Sequence, residues 1–311
     1  MPSTTETHTL LSELETAART VAERAGASTV SIGRHGRGSG VVIGADRILT
    51  NAHNLRDRTT QVTLADGTVT QARVVGVDTH ADLVVLEATT GDTPAIDWAS
   101  ETAVGGSVVF AVARSPRGSR VSFGLVSGAD RVFRGPGGRR ISQSLEHTAP
   151  MARGSSGGPL VDSDGRLVGV NTHRIGDGFY LAQAATAELH KRVDALSEGR
   201  SPRTLRLGIA IAPGHVARKL RAAVGLPERD GLLIRGVEAD GPAAGAGIAE
   251  GDLLVSAAGR PLANADDLFD VLAAHDEAAP LEIGVVRGAE ELTMSATFDH
   301  PADEPQHQSE D

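Results

Sequence analysis

The sequence predicts a mainly β protein in two parts, and three observations support this fold class. Short β-branched runs alternate with turn residues from residue 28 to about residue 133, which is typical of an antiparallel sandwich or barrel. Glycine accounts for 37 of the 311 residues, as expected for a turn-rich β protein. From about residue 204, helical segments alternate with strands, which indicates a second, smaller α/β unit.

Composition excludes several classes of protein. The chain has no cysteine, which rules out disulfides, thiolate metal sites and a cysteine nucleophile. Its 40 acidic and 30 basic residues give a formal charge of −10, which argues against a general nucleic-acid binder. No apolar run reaches the length of a transmembrane segment, and residues 1–26 lack the pattern of a secretory signal. We therefore expect a cytoplasmic protein.

The order of patterns along the chain predicts five segments. Apolar residues at helical spacing predict an amphipathic helix within residues 1–27, packed on the body of the protein or on a neighbouring subunit, with a frayed surface helix as the alternative. Strand-like runs dominate residues 28–196, with a loop expected at 131–140 and a helix at 184–196. Residues 197–203 have linker composition, 204–300 form the second unit, and the acidic segment 301–311 is expected to be disordered.

A serine flanked by glycines is the strongest candidate for a catalytic residue. In the run Gly154-Ser155-Ser156-Gly157-Gly158 a tight turn would leave a serine hydroxyl unobstructed. The same turn could direct backbone N–H groups at one point, as stabilisation of an oxyanion requires. A Gly/Ser-rich loop without catalytic function is the alternative interpretation of this stretch.

A serine nucleophile needs a base, and the base needs an orienting carboxylate. His53 follows a predicted strand and is the candidate base. Asp82 precedes an apolar strand, where burial beside a histidine is feasible, whereas Asp78 is a competing candidate that could instead be a turn residue. The chain order His53, Asp82, Ser156 is that of chymotrypsin-type triads and differs from the subtilisin and α/β-hydrolase orders.

With these motifs, residues 28–298 resemble the HtrA/Deg serine proteases, in which a chymotrypsin-like double β-barrel protease domain precedes a PDZ domain. Residues 50–53 resemble the family's T-N-x-H block, 78–83 its D-x-x-x-D-[LI] block, and 149–160 its nucleophile block. The resemblance implies that Ser156 attacks the scissile carbonyl, that His53 transfers the proton, and that Asp82 orients the imidazole.

The resemblance also assigns groups around the triad. It implies an oxyanion hole formed by the N–H groups of Gly154 and Ser156, with Ser155 as a further donor. Pro150 stands six residues before the nucleophile and would form the floor of the primary pocket. Because no carboxylate lies there, cleavage after lysine or arginine is not expected. Ser155 replaces the family's usual asparagine, and Arg153 its usual proline.

The C-terminal unit resembles a PDZ domain. Residues 206–209 match the loop that binds a peptide carboxylate, and 241–252 match a second block of the domain. We expect a peptide C-terminus to bind N–H groups of Leu207, Gly208 and Ile209, in a groove between a strand at 207–212 and a helix at 266–275. The candidate walls of this groove are Leu268, Val271 and Leu272. These three side chains could equally serve as core residues.

The sequence therefore predicts a serine endopeptidase that cuts unfolded or damaged proteins, with peptide recognition by the PDZ domain. The alternative is a peptide-binding scaffold or holdase chaperone that keeps the fold without catalysis. No cofactor, metal or nucleic acid is implied, and the family resemblance suggests a homotrimer. An arginine-rich stretch within residues 114–153 is expected to be either a solvated surface or a docking site for an acidic partner.

Overall fold

The computed structural model describes residues 5–56, 59–115, 118–134, 140–202, 205–212, 214–223, 225 and 229–298. The chain divides into two compact units, Met1–Pro202 and Arg203–Asp311. The segment 301–311, for which disorder is predicted, lies outside the described residues, as do residues 135–139 of the predicted loop.

The described residues of the first unit form two α-helices, one short 3₁₀-helix and twelve strands. The helices are α1 (Thr5–Ser28), the 3₁₀-helix (Ala52–Asn54) and α2 (Ala187–Ser197). The strands are β1 (Thr29–Ile32), β2 (Gly38–Gly44), β3 (Arg47–Asn51), β4 (Thr59–Thr63), β5 (Val69–Asp78), β6 (Leu83–Glu87), β7 (Val108–Ser115), β8 (Gly118–Arg134), β9 (Arg140–His147), β10 (Pro159–Val161), β11 (Leu167–Gly176) and β12 (Phe179–Ala184).

The second unit contains three helices and six strands among its described residues. The helices are α3 (Gly214–Ala223), α4 (Pro242–Gly245) and α5 (Ala265–Ala274). The strands are β13 (Ile209–Ile211), β14 (Leu232–Val237), β15 (Leu253–Ala257), β16 (Arg260–Pro261), β17 (Leu281–Arg287) and β18 (Glu290–Ala296).

Two closed antiparallel barrels form the first unit, in the strand orders β1-β2-β3-β6-β5-β4 and β10-β11-β12-β9-β8-β7. The predicted double β-barrel is thus confirmed. Because the chain is poor in aromatic residues, the cores consist mainly of Val, Leu, Ile and Ala. One buried cluster contains Leu49 and Leu83 of the first barrel together with Phe110 and Val170 of the second, so it packs the barrels against each other.

Helix α1 packs on the barrels through its C-terminal half. Val21 and Ala25 are fully buried in the cluster between the barrels, as the predicted helical spacing requires. Leu11 and Leu14, nearer the N-terminus, are exposed. No helix among the described residues is long and apolar enough to span a membrane.

Three predicted boundaries differ from the structure. The loop expected at 131–140 is shorter, because β8 and β9 stay paired as far as Phe133↔Ile141 and Arg134↔Arg140. Helix α2 begins at Ala187 rather than residue 184, since β12 extends to Ala184 and the Thr186 hydroxyl caps the helix. The strand expected at 207–212 pairs only over Ile209–Ile211.

The second unit is a sheet in the order β13-β14-β15-β17-β18, with β16 paired to β15. Strand β13 therefore lies at an edge of the sheet. Helix α5 is held at its N-terminus by a capping box between Asn264 and Asp267. Its apolar face packs into the core of this unit.

Candidate active site

The pairing of β3 with β6 brings His53 and Asp82 together. Asn51, the last residue of β3, pairs with Leu83, the first residue of β6. His53 lies in the 3₁₀-helix that follows β3, and Asp82 lies in the turn just before β6. The two residues, 29 positions apart in the sequence, therefore meet at one end of the first barrel.

Both carboxylate oxygens of Asp82 bind His53. Oδ2 lies 2.6 Å from the ring Nδ1, and Oδ1 accepts the backbone N–H of His53 at 2.9 Å. The backbone carbonyl of Asp82 accepts hydrogen bonds from the Asn51 amide and the Ala52 N–H. Asp82 has a φ of +55°, a conformation that aspartate tolerates better than most residues. The buried carboxylate is thus fixed by the same segment that carries the histidine.

The competing candidate, Asp78, has a different role. Its Oδ1 accepts the N–H groups of His80 and Ala81 at 2.9 Å, and its Oδ2 binds the Arg192 guanidinium at 2.9 Å. This carboxylate holds the β5–β6 turn and ties it to α2. The structure therefore assigns Asp78 to the turn and Asp82 to the histidine.

Two glycines give the nucleophile loop its backbone path. Gly154 has a φ of +85°, and a Cβ there would lie 2.6 Å from the carbonyl oxygen of Gly36. Gly157 has a φ of +83°, and its Cβ would lie 2.3 Å from the carbonyl oxygen of Ser39. Only glycine combines a positive φ with such close backbone approach. The sequence around Ser156 is thus required by the turn itself.

The first barrel holds Ser156, the predicted nucleophile, in place. The Ser156 carbonyl accepts the Ser39 N–H at 2.8 Å and the Asn54 side-chain amide at 2.9 Å. The Ser39 hydroxyl donates to the Gly154 carbonyl at 2.7 Å. Asn54, which directly follows His53, therefore couples the base to the nucleophile loop. Neither Ser39 nor Asn54 is a predicted site residue, although Asn54 directly follows the matched block 50–53.

The loop presents two free backbone donors. Among the described residues, the N–H groups of Gly154 and Ser156 have no hydrogen-bond acceptor. The Ser155 N–H instead donates to the Ala152 carbonyl at 3.2 Å. This differs from the expectation that Ser155 contributes to the oxyanion hole, because the tight turn uses that N–H internally. Gly154 and Ser156 remain as the pair that could bind an oxyanion.

The Ser156 hydroxyl has a partner other than the base. It donates to the backbone carbonyl of Thr172 at 2.6 Å, and no hydrogen bond joins it to His53 within the described part of the chain. His173, the next residue, has its ring 5.5 Å from that of His53. For proton transfer the hydroxyl must turn from Thr172 toward the imidazole, a rotation about one side-chain bond.

The predicted floor of the primary pocket, Pro150, lies at the surface. Pro150 is exposed, and its carbonyl accepts a hydrogen bond from the Ser122 hydroxyl at 2.6 Å. Pro150 is thus not enclosed as the floor of a pocket in this structure, and the Ser122 hydroxyl holds its backbone carbonyl.

Arg114, from the predicted basic stretch, is a structural residue. Its guanidinium donates to the carbonyl oxygens of Gly26, Thr29 and Ala65 and to the Ser119 hydroxyl. It thereby joins the end of α1 to both barrels. Partial burial of this guanidinium lowers the pKa of Arg114.

The second unit places the predicted peptide-binding residues around the edge strand β13. Leu207 is buried, Gly208 has a φ of +71°, and Ile209 begins β13. The N–H groups of Leu207 and Gly208 have no acceptor among the described residues, so they remain available to a carboxylate. The predicted wall residues, Leu268, Val271 and Leu272, are all buried in the core of this unit. They therefore contribute to core packing, and their part in a peptide groove stays a prediction.

Two six-stranded barrels that bring a histidine–aspartate pair next to a glycine-flanked serine define the class of chymotrypsin-type serine proteases. No group of His, Asp and Glu side chains suited to a metal ion occurs in the described ranges. Residues 38–170 match the family model of the trypsin-like peptidase domain, and residues 207–297 match that of the PDZ domain.

Named relatives cover both units. The chain is 32% identical to the serine endoprotease DegS of Escherichia coli K12 over 282 residues, which cover 85% of this chain and 77% of DegS. It is 31% identical to a probable periplasmic serine endoprotease, DegP-like, of Bartonella henselae, covering 86% of this chain and 54% of that protein. A serine endoprotease structure from Yersinia pestis matches 90% of this chain and 96% of its own, with 26% identity and a TM-score of 0.62. The chain belongs to the HtrA family of serine proteases.

Proposed function

We propose that the chain is an endopeptidase that cuts unfolded polypeptides with Ser156 as nucleophile. The observation that carries this proposal is the pair of hydrogen bonds that the Asp82 carboxylate accepts from His53. A buried carboxylate on Nδ1 fixes the tautomer in which Nε2 is the proton acceptor. A structural histidine would not need this arrangement next to a serine on a glycine turn.

In the proposed reaction, the Ser156 hydroxyl leaves the Thr172 carbonyl, gives its proton to Nε2 of His53 and attacks the scissile carbonyl. The free N–H groups of Gly154 and Ser156 bind the oxygen that becomes negatively charged. The protonated imidazole, stabilised by Asp82, then gives its proton to the leaving amine. Water enters and reverses these steps to release the acyl group.

The second unit, in this proposal, captures peptides at the free edge of β13. An extended peptide can add a strand there while its carboxylate binds the N–H groups of Leu207 and Gly208. The similar AlgW structure (24% identity, TM-score 0.66) is of that HtrA-type protease with a decapeptide. The homotrimer and the cytoplasmic location stay predictions.

Cleavage of unfolded casein by the purified chain tests the proposal, with two adjacent serines as a matched pair. Ser156→Ala should reduce the rate by several orders of magnitude, because the nucleophile is lost. Ser155→Ala keeps the backbone N–H groups and the nucleophile and should retain most activity. Binding of casein without cleavage by the wild type would instead favour the scaffold or holdase function.

A further inference from the structure

A β-bulge lies where β11 passes the catalytic residues. In the pairing of β11 with β12, Asn171 faces Ala182 but His173 already faces Leu181, so Thr172 is one residue in excess. In a strand, successive side chains point to opposite faces of the sheet; a bulge interrupts this alternation and redirects the side chains and carbonyl groups next to it. Here the extra residue offers its carbonyl to the Ser156 hydroxyl, and the following residue places an imidazole ring against His53.

The ring of His173 is held on three sides. Its centroid lies 5.5 Å from that of His53, with the planes inclined by 65°, an edge-to-face contact. Its Nδ1 lies 2.8 Å from the Thr172 hydroxyl, which fixes the rotation of the ring. Phe133 of β8 lies on it with a centroid distance of 5.6 Å. The His173 ring is therefore held in one orientation and can act as a rigid packing partner for a neighbouring side chain.

The His53 ring needs a packing partner of this kind to hold its orientation. Its side chain is 29% exposed, and the Asp82 contact restrains it at Nδ1 alone. A ring held at one edge can still tilt about that hydrogen bond, which would carry Nε2 away from the Ser156 hydroxyl. A second ring packed edge-to-face removes that freedom. An error of about 1 Å in the position of a catalytic group can cost about 100-fold in rate.

We propose that His173 is a positioning residue, whose uncharged ring holds His53 in the orientation that leaves Nε2 available to Ser156. This inference rests on the proposed peptidase function, and it adds to that function a residue that none of the matched sequence blocks assigned.

The electrostatics of the site agree with an uncharged ring. Burial lowers the pKa of His173, and the neighbouring His53 lowers it further, while Asp82 opposes this. During the reaction His53 becomes an imidazolium, and a second cation 5.5 Å away would oppose that step. The role requires a flat, uncharged ring. A phenyl ring would keep the contacts with His53 and Phe133 and lose only the Thr172 hydrogen bond, so it should replace the imidazole in large part.

Steady-state kinetics of three variants of the full chain test the proposal on a quenched-fluorescence peptide. His173→Ala should lower kcat by about 10–100-fold, with KM close to wild type, because a misplaced base affects the transition state more than substrate binding. His173→Phe should restore most of kcat. His190→Ala is the matched control, since His190 also stacks on an aromatic ring, that of Trp98, at 4.3 Å on helix α2. It should leave kcat unchanged.

Proton NMR of the His53 Nδ1–H, the proton shared with Asp82, gives a readout that does not depend on cleavage. We expect this proton to exchange with water faster in His173→Ala than in wild type or His173→Phe. If His173→Ala does not fold, His173→Leu, which keeps bulk without a ring, replaces it.

Equal kcat and equal exchange in wild type and the ring-less variant would overturn the positioning role, as would a Phe variant as impaired as the Ala variant. If the wild type cleaves no peptide, the proposed function fails, and the exchange rates still decide the role of His173.

Discussion

Asp82 binds His53 twice, through Oδ2 to the ring Nδ1 at 2.6 Å and through Oδ1 to the backbone N–H at 2.9 Å. The double contact fixes the tautomer of the imidazole and anchors its Nδ1 edge, because a proton on Nδ1 is the one that faces the carboxylate. The relationship depends on the pairing of β3 with β6, so the fold of the first barrel directly sets the geometry of the base.

Asp82→Asn is expected to lower kcat by about 10⁴-fold with little loss of fold. The amide can still accept the backbone N–H, but its NH₂ group would favour the tautomer with the proton on Nε2. That tautomer cannot accept a proton from Ser156. The measurement is kcat for cleavage of an unstructured peptide.

Asp78→Asn is the matched control, because Asp78 is equally buried but binds Arg192 and the turn N–H groups. We expect it to lower the free energy of unfolding by about 1–3 kcal/mol. This is less than the loss of a fully buried ion pair would cost, because Arg192 is partly exposed to solvent. The kcat of the folded enzyme should stay near wild type. If Asp78→Asn abolishes kcat and Asp82→Asn does not, the assignment of the two carboxylates is reversed.

Gly154→Ala should impair catalysis through the oxyanion donors. The added methyl group would lie 2.6 Å from the Gly36 carbonyl at a φ of +85°, so the loop must move. Displacing one donor should cost about 100–1000-fold in kcat. Gly91→Ala is the control, because Gly91 also has a positive φ but nothing within 4 Å of the added methyl group. Equal kcat in the two variants would contradict the role of the loop.

The burial of His147 should make the folded protein less stable in acid. Its ring is fully buried in the second barrel, and neither ring nitrogen has a hydrogen-bond partner among the described residues. Burial lowers the pKa of His147 from 6.5 to about 4, and the nearby Asn171 amide offsets only part of this. In the unfolded chain the His147 imidazole is therefore protonated below pH 6.5, whereas in the folded chain it stays neutral down to about pH 4.

The free energy of unfolding should accordingly fall by about 3 kcal/mol from this residue as the pH drops through that window, and be fully regained above it. Urea unfolding at a series of pH values measures it. His147→Leu should remove this part of the pH dependence, whereas the exposed His190→Leu should retain it. Identical pH dependence in wild type and His147→Leu would show that His147 is not held neutral.

Peptide capture by the second unit should depend on a free carboxylate. In the Ser156→Ala background, a peptide with an apolar free C-terminus should bind more tightly than its amidated form, as measured by fluorescence anisotropy. Gly208→Ala should weaken binding by about tenfold, because Gly208 has a φ of +71° and a methyl group there would meet Glu238 at 3.0 Å. Gly259→Ala, in an open turn with a φ of +73°, is the control. Equal affinity for the amidated peptide would exclude carboxylate capture.

Features that depend on a short stretch of sequence could be predicted from the sequence alone. The two barrels follow from regularly spaced strands, and the nucleophile turn follows from glycines whose positive φ no other residue adopts as readily. The choice between Asp78 and Asp82 could not be made from sequence, because it depends on which residue the end of β3 meets across the sheet.

Other features depend on contacts between distant segments. Arg114 reaches carbonyl oxygens 49 to 88 positions away, and nothing in its local sequence distinguishes it from a solvated arginine. The internal hydrogen bond of Ser155 depends on the tightness of its turn, and the Thr172 bulge depends on a register shift between β11 and β12. The sequence could not assign Leu268, Val271 and Leu272 of α5 to the core or to a groove wall, because both roles require the same spacing of apolar residues along a helix.

The central claim is that Ser156, activated by His53, is the nucleophile. A phosphonofluoridate reacts covalently with an activated serine, and peptide mass spectrometry identifies the modified residue. We predict a single adduct on Ser156 in the wild type and in Ser155→Ala, and no adduct in Ser156→Ala or after removal of the His53 imidazole. An adduct on Ser155, or an unmodified wild-type protein, would contradict the account.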